Sequence, residues 1–174
     1  MSQFKTHIWG HLEYHSGAIV MAKLVDRRRL DKMQRAFLYD IGCTDTQAFV
    51  EYNLAPPSLR RAVALLGFLH KRVLGHCHPT LIEAFPFDPD LRWTYHAMTL
   101  VSHFDEVRHF RHVYDNSIWQ YVLIYNRLTP ELVNTQSVSA FQSKLTQLAR
   151  IRAQQGDESW REAFQSYGDV VKLH

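Results

Sequence analysis

The sequence predicts an all-α protein, an irregular multi-helix bundle in two packed subdomains, from three kinds of pattern. Apolar residues recur every three to four positions in several segments, which is the spacing of one face of a helix. Helix-capping residues, prolines and glycines stand where these segments begin and end. No segment alternates apolar and polar residues in the way that a half-buried strand does. The chain is therefore expected to fold from helices alone.

The length and composition are those of a globular protein with one ordinary domain or two small ones. The chain has 174 residues, 46% of them apolar, and its 20 Lys and Arg against 17 Asp and Glu leave a formal charge of +3. This apolar content can build a packed core, which excludes a disordered tail. Two cysteines exclude a disulfide framework, and no apolar run is long enough to span a membrane. We therefore expect an intracellular protein, cytoplasmic or nuclear, with no membrane partner.

Two helical segments are predicted before the first pair of prolines. Residues 6–24 contain few helix breakers but no clean apolar stripe, which is typical of a buried or irregular helix. Residues 26–41 form a regular helix that Asp26 caps and Gly42 ends. The apolar stripe of this second helix is formed by Leu30, Met33, Phe37 and Ile41.

A short helix and a long helix are predicted next. Thr44 and Gln47 have the spacing of a capping box, which opens a short helix that runs to about Asn53. Pro56 and Pro57 then break the chain, because the residue before a proline is pushed out of the helical region. Ser58 is predicted to cap the long helix, which ends at Gly75 and is followed by a short helical turn after Pro79. The apolar face of the long helix includes Leu59, Val63, Leu66, Leu69 and Val73.

Two prolines in residues 85–90 predict a boundary between subdomains 1–87 and 88–174. The first subdomain has 11 Lys and Arg against 7 Asp and Glu, and the second has 9 against 10, so the basic excess lies in the first. In the second we predict helices over residues 114–125, 138–151 and 157–165, with a short connection at Thr129. Gly156 is predicted to end the helix that begins at residue 138.

The basic residues of the first subdomain form two ridges. On the second helix the ridge lies opposite the apolar stripe, and on the long helix one basic pair recurs eleven residues after another, about three turns later, on the same face. Cationic helix faces suit a nucleic-acid backbone, because neutralising phosphates releases counterions. A solvated face of an amphipathic helix is the ordinary alternative. The ridge residues are Arg28, Lys32, Arg35, Arg60, Arg61, Lys71 and Arg72.

Eleven histidines raise the question of a metal site. Glu106 and His109 have the spacing of the Glu-x-x-His unit of helical di-iron sites, but a second copy of the unit is missing. The spacing of Cys43 and residues 76–78 matches no structural zinc pattern. We therefore expect no metal and no cofactor, with a metal-dependent helical enzyme as an alternative. In that alternative the metal-dependent enzyme uses Glu106, His109 and His112. The other candidate metal ligands are His7, His11 and His15 on one helix face, and His103 and Asp105 near Glu106.

Four stretches of the first subdomain together resemble a known family. Residues 30–38 (LDKMQRAFL), 42–45 (GCTD), 52–56 (YNLAP) and 59–75 (LRRAVALLGFLHKRVLG) are similar to the region downstream of the polymerase core in jockey-type non-LTR retrotransposon reverse transcriptases. In that family a helix of the form Leu-x-x-Leu-Asp-x-x-Gln follows the palm, and a helix beginning Leu-Arg-Arg comes shortly after it. The resemblance covers roughly residues 4–87 and is less specific beyond them.

The resemblance implies a thumb-like subdomain followed by a C-terminal helical extension. A thumb grips the backbone of a template-primer duplex, so the expected activity is sequence-independent binding of an RNA/DNA duplex or structured RNA through the seven basic residues. Charge reversal at Arg61 and Arg72 is then expected to weaken binding for every sequence alike. The chain lacks any Asp-Asp pair for the two divalent ions of a polymerase, so it is expected to be non-catalytic. In the alternative, it is a structural module that docks on a polymerase core without binding nucleic acid.

Overall fold

The computed structural model describes residues 2–10, 19, 22, 24–89, 98–102, 114–115 and 117–165. Within these ranges the secondary structure is helical, and the β-type pairing is limited to an isolated antiparallel bridge between Phe87 and Leu100. The predicted all-α fold class is therefore confirmed.

Eight α-helices are described, with a π-helical turn after the first and a 3₁₀ turn after the last. In chain order the α-helices are α1 (Ser2–Phe4), α2 (Leu24–Asp40), α3 (Asp45–Val50), α4 (Pro57–Val73), α5 (Pro79–Ala84), α6 (Trp119–Tyr125), α7 (Pro130–Val133) and α8 (Val138–Gln154). The π-helical turn is Lys5–Trp9, and the 3₁₀ turn is Glu158–Glu162. The observed α6 is shorter than the helix predicted over 114–125, and the predicted final helix is a 3₁₀ turn. Most of the predicted first helix lies outside the described residues.

The predicted capping signals are found at most helix ends. The predicted cap by Asp26 is wrong, because α2 begins at Leu24 and Asp26 lies inside its first turn. The Gln47 backbone N–H donates to the Thr44 hydroxyl at 3.1 Å, and the Thr44 N–H donates to the Gln47 side chain at 3.1 Å. Gly42, Gly75 and Gly156 have φ of +64°, +74° and +77°, the left-handed conformation that ends a helix at little cost for glycine. The capping box and all three glycine ends are confirmed.

The cap of α4 differs from the prediction. Ser58 lies inside the first turn, because the helix begins at Pro57, so its hydroxyl does not cap this helix. The Ser58 backbone N–H instead donates to the Asp31 carboxylate on α2 at 3.0 Å. A side chain from a neighbouring helix therefore satisfies one of the unpaired N–H groups at the start of α4.

Both predicted subdomains contribute to the main hydrophobic core. Helix α4 packs most extensively on α8 and also packs on α6, so the core joins helices from before and after residues 85–90. The predicted boundary thus lies between two stretches of chain that share one core. The largest fully buried side chains of the main core include Phe49, Leu66, Tyr125, Phe141, Trp160 and Phe164. A second, smaller core consists of Phe4, Leu38, Ala48 and Leu54.

Helix α2 is rotated relative to the predicted apolar stripe. Met33 and Ile41, two members of that stripe, are 53% and 48% exposed, whereas Gln34 and Leu38 are buried. The Gln34 Nε2 donates to the Ala55 carbonyl at 3.2 Å, whereas the buried Oε1 has no hydrogen-bond partner among the described residues. The prediction that Met33 and Ile41 are core residues is therefore wrong, because polar contacts to the segment before α4 determine which face of α2 is buried.

A buried histidine joins three elements of the main core. The His70 ring is fully buried, with Nε2 2.7 Å from the Thr135 carbonyl oxygen and Nδ1 2.9 Å from the Tyr125 hydroxyl. A carbonyl oxygen only accepts hydrogen bonds, so Nε2 carries the proton. Nδ1 of the neutral ring then accepts a hydrogen bond from the Tyr125 hydroxyl. The ring also stacks on Phe141 with centroids 4.1 Å apart. Burial lowers the pKa of His70, which outweighs the opposing effect of the hydrogen bond to Thr135.

The stability of the fold is expected to fall as the pH drops below the pKa of a free histidine, about 6.5. Because the folded-state pKa of His70 is depressed, its contribution is present above the unfolded pKa and is lost as protonation begins below it. The loss is at most about 1.4 kcal/mol per pH unit for one group. Urea denaturation at pH 7.5 and 5.5 measures it. The variant His70→Gln, which does not titrate, is expected to lose less stability over this interval than the wild type.

Candidate anion-binding pocket

A polar cavity of about 240 Å³ lies between α2, α4, α6 and the 3₁₀ turn. Residues from all four elements line it, and most of them are charged. The four arginines are Arg27, Arg28, Arg35 and Arg61. The three acidic residues are Asp31, Asp115 and Glu162.

Arg61 lies on α4 and is only 5% exposed. One terminal nitrogen, Nη2, donates to Asp31 Oδ1 at 3.2 Å, in an ion pair that joins α4 to α2. The other terminal nitrogen, Nη1, is buried and has no hydrogen-bond partner in the described part of the chain. A buried guanidinium nitrogen without an acceptor is costly, so this wall of the cavity favours a group that supplies acceptor oxygens.

Arg27 brings a second partly buried guanidinium to the same cavity. Burial lowers the pKa of Arg27, and the positive charge of Arg61 lowers it further, while Tyr121 and Asp31 oppose this. Burial also raises the pKa of Tyr121, although Arg27 and Arg61 act in the other direction. The positive charges of Arg27 and Arg61 therefore repel each other at a partly buried site, and a bound anion would relieve this repulsion.

The ridge predicted on α2 lies at the rim of the cavity. Arg28, Lys32 and Arg35 are exposed, as their spacing predicts, and Arg28 and Arg35 also line the cavity. Arg35 Nε lies 3.9 Å from the Asp45 carboxylate, a distance at which an exposed pair contributes little to stability. The guanidinium of Arg35 therefore remains available for an anionic ligand.

The ridge predicted on α4 is not a continuous exposed face. Arg61 and Arg72 are 5% and 4% exposed, Lys71 is exposed near the end of the helix, and Arg60 lines a separate groove between α4 and α8. The prediction of exposure is therefore wrong for Arg61 and Arg72. Eleven residues do return to one helix face, but Arg61 and Arg72 on that face have partners inside the protein.

Arg72 fastens the segment predicted to be a subdomain boundary. Its Nε donates to the Phe85 carbonyl at 2.7 Å, and its guanidinium carbon lies 4.2 Å from the centre of the Phe87 ring. Phe87 in turn forms the bridge to Leu100. Arg72 thus stabilises the turn after α5 from within the protein, and it does not line the cavity to which Arg61 contributes.

Most residues of the cavity are not among the predicted site residues, and Arg27 and Asp31 on α2 are two of these. A pattern in the sequence that indicates them is a polar series on α2, formed by Arg27, Asp31 and Gln34 at i, i+4 and i+7. Such a series lies along one face of a helix. Because Asp31 and Gln34 face α4 and the segment before it, this face makes the contacts that assemble the cavity.

The structure brings together no group of three or more His, Cys, Asp or Glu with metal-binding geometry among the residues it describes. Cys43 and Cys77 are free thiols. Other residues of the metal alternative lie outside the described residues, namely His11, His15, His103, Asp105, Glu106, His109 and His112. None of the described helices combines the length and the apolar character that a membrane crossing requires.

The described residues thus form a helical protein with an arginine-lined polar cavity. Comparisons of the chain with protein families, with curated proteins and with solved structures find no match.

Proposed function

We propose that this protein is a non-catalytic nucleic-acid-binding module that contacts the phosphates of an RNA/DNA duplex or a structured RNA. In this proposal it corresponds to the thumb and C-terminal region of a jockey-type reverse transcriptase. The observation that carries the proposal is the convergence of Arg27, Arg28, Arg35 and Arg61 on one cavity, with Lys32 exposed beside them on α2.

Phosphate oxygens are the acceptors that such an arrangement favours. A guanidinium presents several N–H donors in a planar fork, which matches two oxygens of a phosphate at once. Contacts to phosphates are independent of base sequence, so they fix position and affinity without specificity. The proposed interface is therefore α2 and the start of α4. Lys71 lies ten residues beyond Arg61, roughly 15 Å along the helix axis at the usual rise per residue.

The double substitution Arg28→Gln/Lys32→Gln is expected to weaken binding of an RNA/DNA duplex and to flatten its salt dependence. Each phosphate contact contributes about 0.9 to the slope of log affinity against log salt, so the loss of two contacts lowers the slope by about 1.8. Fluorescence anisotropy of a labelled duplex at several salt concentrations measures both quantities. Both residues are exposed, so the fold should tolerate the change.

The matched control is Lys71→Gln/Lys144→Gln, which removes the same charge from exposed sites on α4 and α8 rather than from α2. This variant is expected to keep most of the wild-type slope. Equal losses in both variants would mean that the net charge, rather than the α2 surface, attracts the duplex. The absence of salt-dependent binding by the wild type would reject the proposal.

A docking module without nucleic-acid binding is the second candidate, and exposed apolar side chains favour it. Val25, Met33, Tyr39 and Ile41 lie on or next to α2 and are all largely exposed. Such side chains are often used at protein interfaces when they form a contiguous patch. Purification as an oligomer, without salt-dependent retention on heparin, would favour this candidate over the first.

A further inference from the structure

We propose that the arginine pocket takes a phosphate monoester, as found at the end of a nucleic-acid strand or in a free mononucleotide. The proposal rests on the proposed function, since it names the part of the nucleic acid that enters the cavity. Residues of α2, α4, α6 and the 3₁₀ turn line the cavity, which is a partly open recess between these elements. A backbone phosphodiester continues into sugars on both sides, whereas a terminal monoester can enter such a recess end first.

The size of the cavity fits a group of this kind. Its volume of about 240 Å³ lies below the roughly 300–1,000 Å³ of pockets that enclose drug-sized ligands. There is room for a phosphate with part of its sugar, but not for a segment of duplex. The exposed Arg28 and Lys32 beside the cavity are then free to contact the next phosphates of the same strand.

The donors of the pocket also favour a monoester over a diester. Among the described residues of the lining, four arginines and three acidic residues leave one excess positive charge, so directed hydrogen bonds must supply the recognition. Asp31 already accepts from Arg61 and from the Ser58 backbone N–H, whereas Arg61 Nη1 has no acceptor among the described residues. A monoester presents three terminal oxygens and about −1.5 to −2 charges near pH 7. It can therefore satisfy Arg61 and a second guanidinium at the same time.

The test compares three duplexes of one sequence, with 5′-phosphate, 3′-phosphate or hydroxyl ends, together with a free nucleoside 5′-monophosphate. At one salt concentration, a phosphorylated end is expected to bind about ten-fold more tightly than the hydroxyl ends, the effect of one further charged hydrogen bond. The nucleoside monophosphate is expected to raise the Tm of the protein and to compete with the phosphorylated duplex.

The variant Gln120→Glu isolates the pocket, because it adds a negative charge to the lining with almost no change in shape. Gln120 lies in the first turn of α6, where a carboxylate is compatible with the helix dipole, so the fold should be retained. The advantage of the phosphorylated end should disappear in this variant. The control Gln154→Glu makes the same change at an exposed position on α8 outside the lining and should preserve the advantage.

The outcomes separate the two proposals. Salt-dependent binding that is equal for all three duplexes would overturn the monoester site and leave the proposed function standing. Binding of the nucleoside monophosphate that Gln120→Glu abolishes, without binding of any duplex, would support the monoester site and reject the proposed function. An advantage of phosphorylated ends that both variants retain would place recognition elsewhere and overturn the inference.

Discussion

Replacing Asp31 with alanine is expected to lower the free energy of unfolding by about 3–5 kcal/mol, the usual effect of removing one partner from a buried ion pair. The substitution leaves the Arg61 guanidinium, which is 5% exposed, without its carboxylate. It also removes the acceptor of the Ser58 backbone N–H at the start of α4. Urea denaturation followed by circular dichroism measures the loss.

The control for Asp31→Ala is Asp26→Ala on the same helix. Asp26 pairs with Arg29 at 3.1 Å, but both side chains are largely exposed, so this loss should not exceed about 1 kcal/mol. A loss for Asp31→Ala as small as that of the control would show that the Arg61 ion pair does not hold α2 against α4. The conservative variant Asp31→Asn keeps an acceptor for Ser58, so the difference between the two variants separates the cap from the charge.

The helices that could be predicted are those whose signals are local. The capping box of Thr44 and Gln47 and the left-handed Gly42 act within a few residues of each other, so the sequence contains all the information they need. The orientation of α2 depends on distant partners instead. Gln34 is buried because the Ala55 carbonyl, 21 positions away, accepts its amide proton, and no periodicity in α2 indicates that partner.

The candidate site was predictable to the same extent. Exposure of Arg28, Lys32 and Arg35 follows from their spacing opposite an apolar stripe. The inward position of Arg61 does not follow from spacing, because residues spaced along one helix face can point either to water or to a neighbouring helix. What decides the outcome is the carboxylate of Asp31, thirty positions earlier in the chain. Composition could not reveal this pairing, since Arg61 belongs to a stretch that is otherwise typical of a basic helix.

The substitution Arg72→Met is expected to lower the free energy of unfolding by about 2–4 kcal/mol. Methionine keeps most of the apolar stem but removes the hydrogen bond from the guanidinium to the Phe85 carbonyl, an interaction of about 1.5–3 kcal/mol when one partner is charged. It also removes the contact with the Phe87 ring, which contributes about 0.5–1 kcal/mol or more. Thermal and urea unfolding of the purified variant measure the total.

Lys71→Met is the matched control, because it removes the same charge from the neighbouring position of α4, where the side chain is exposed. Its stability should remain within about 0.5 kcal/mol of the wild type. If Arg72 served nucleic acid as its position in the sequence suggested, Arg72→Met would weaken duplex binding and leave unfolding unchanged. The structure leads to the opposite expectation, since the buried Arg72 guanidinium is bonded to the Phe85 carbonyl and, unlike that of Arg61, does not line the arginine-rich cavity.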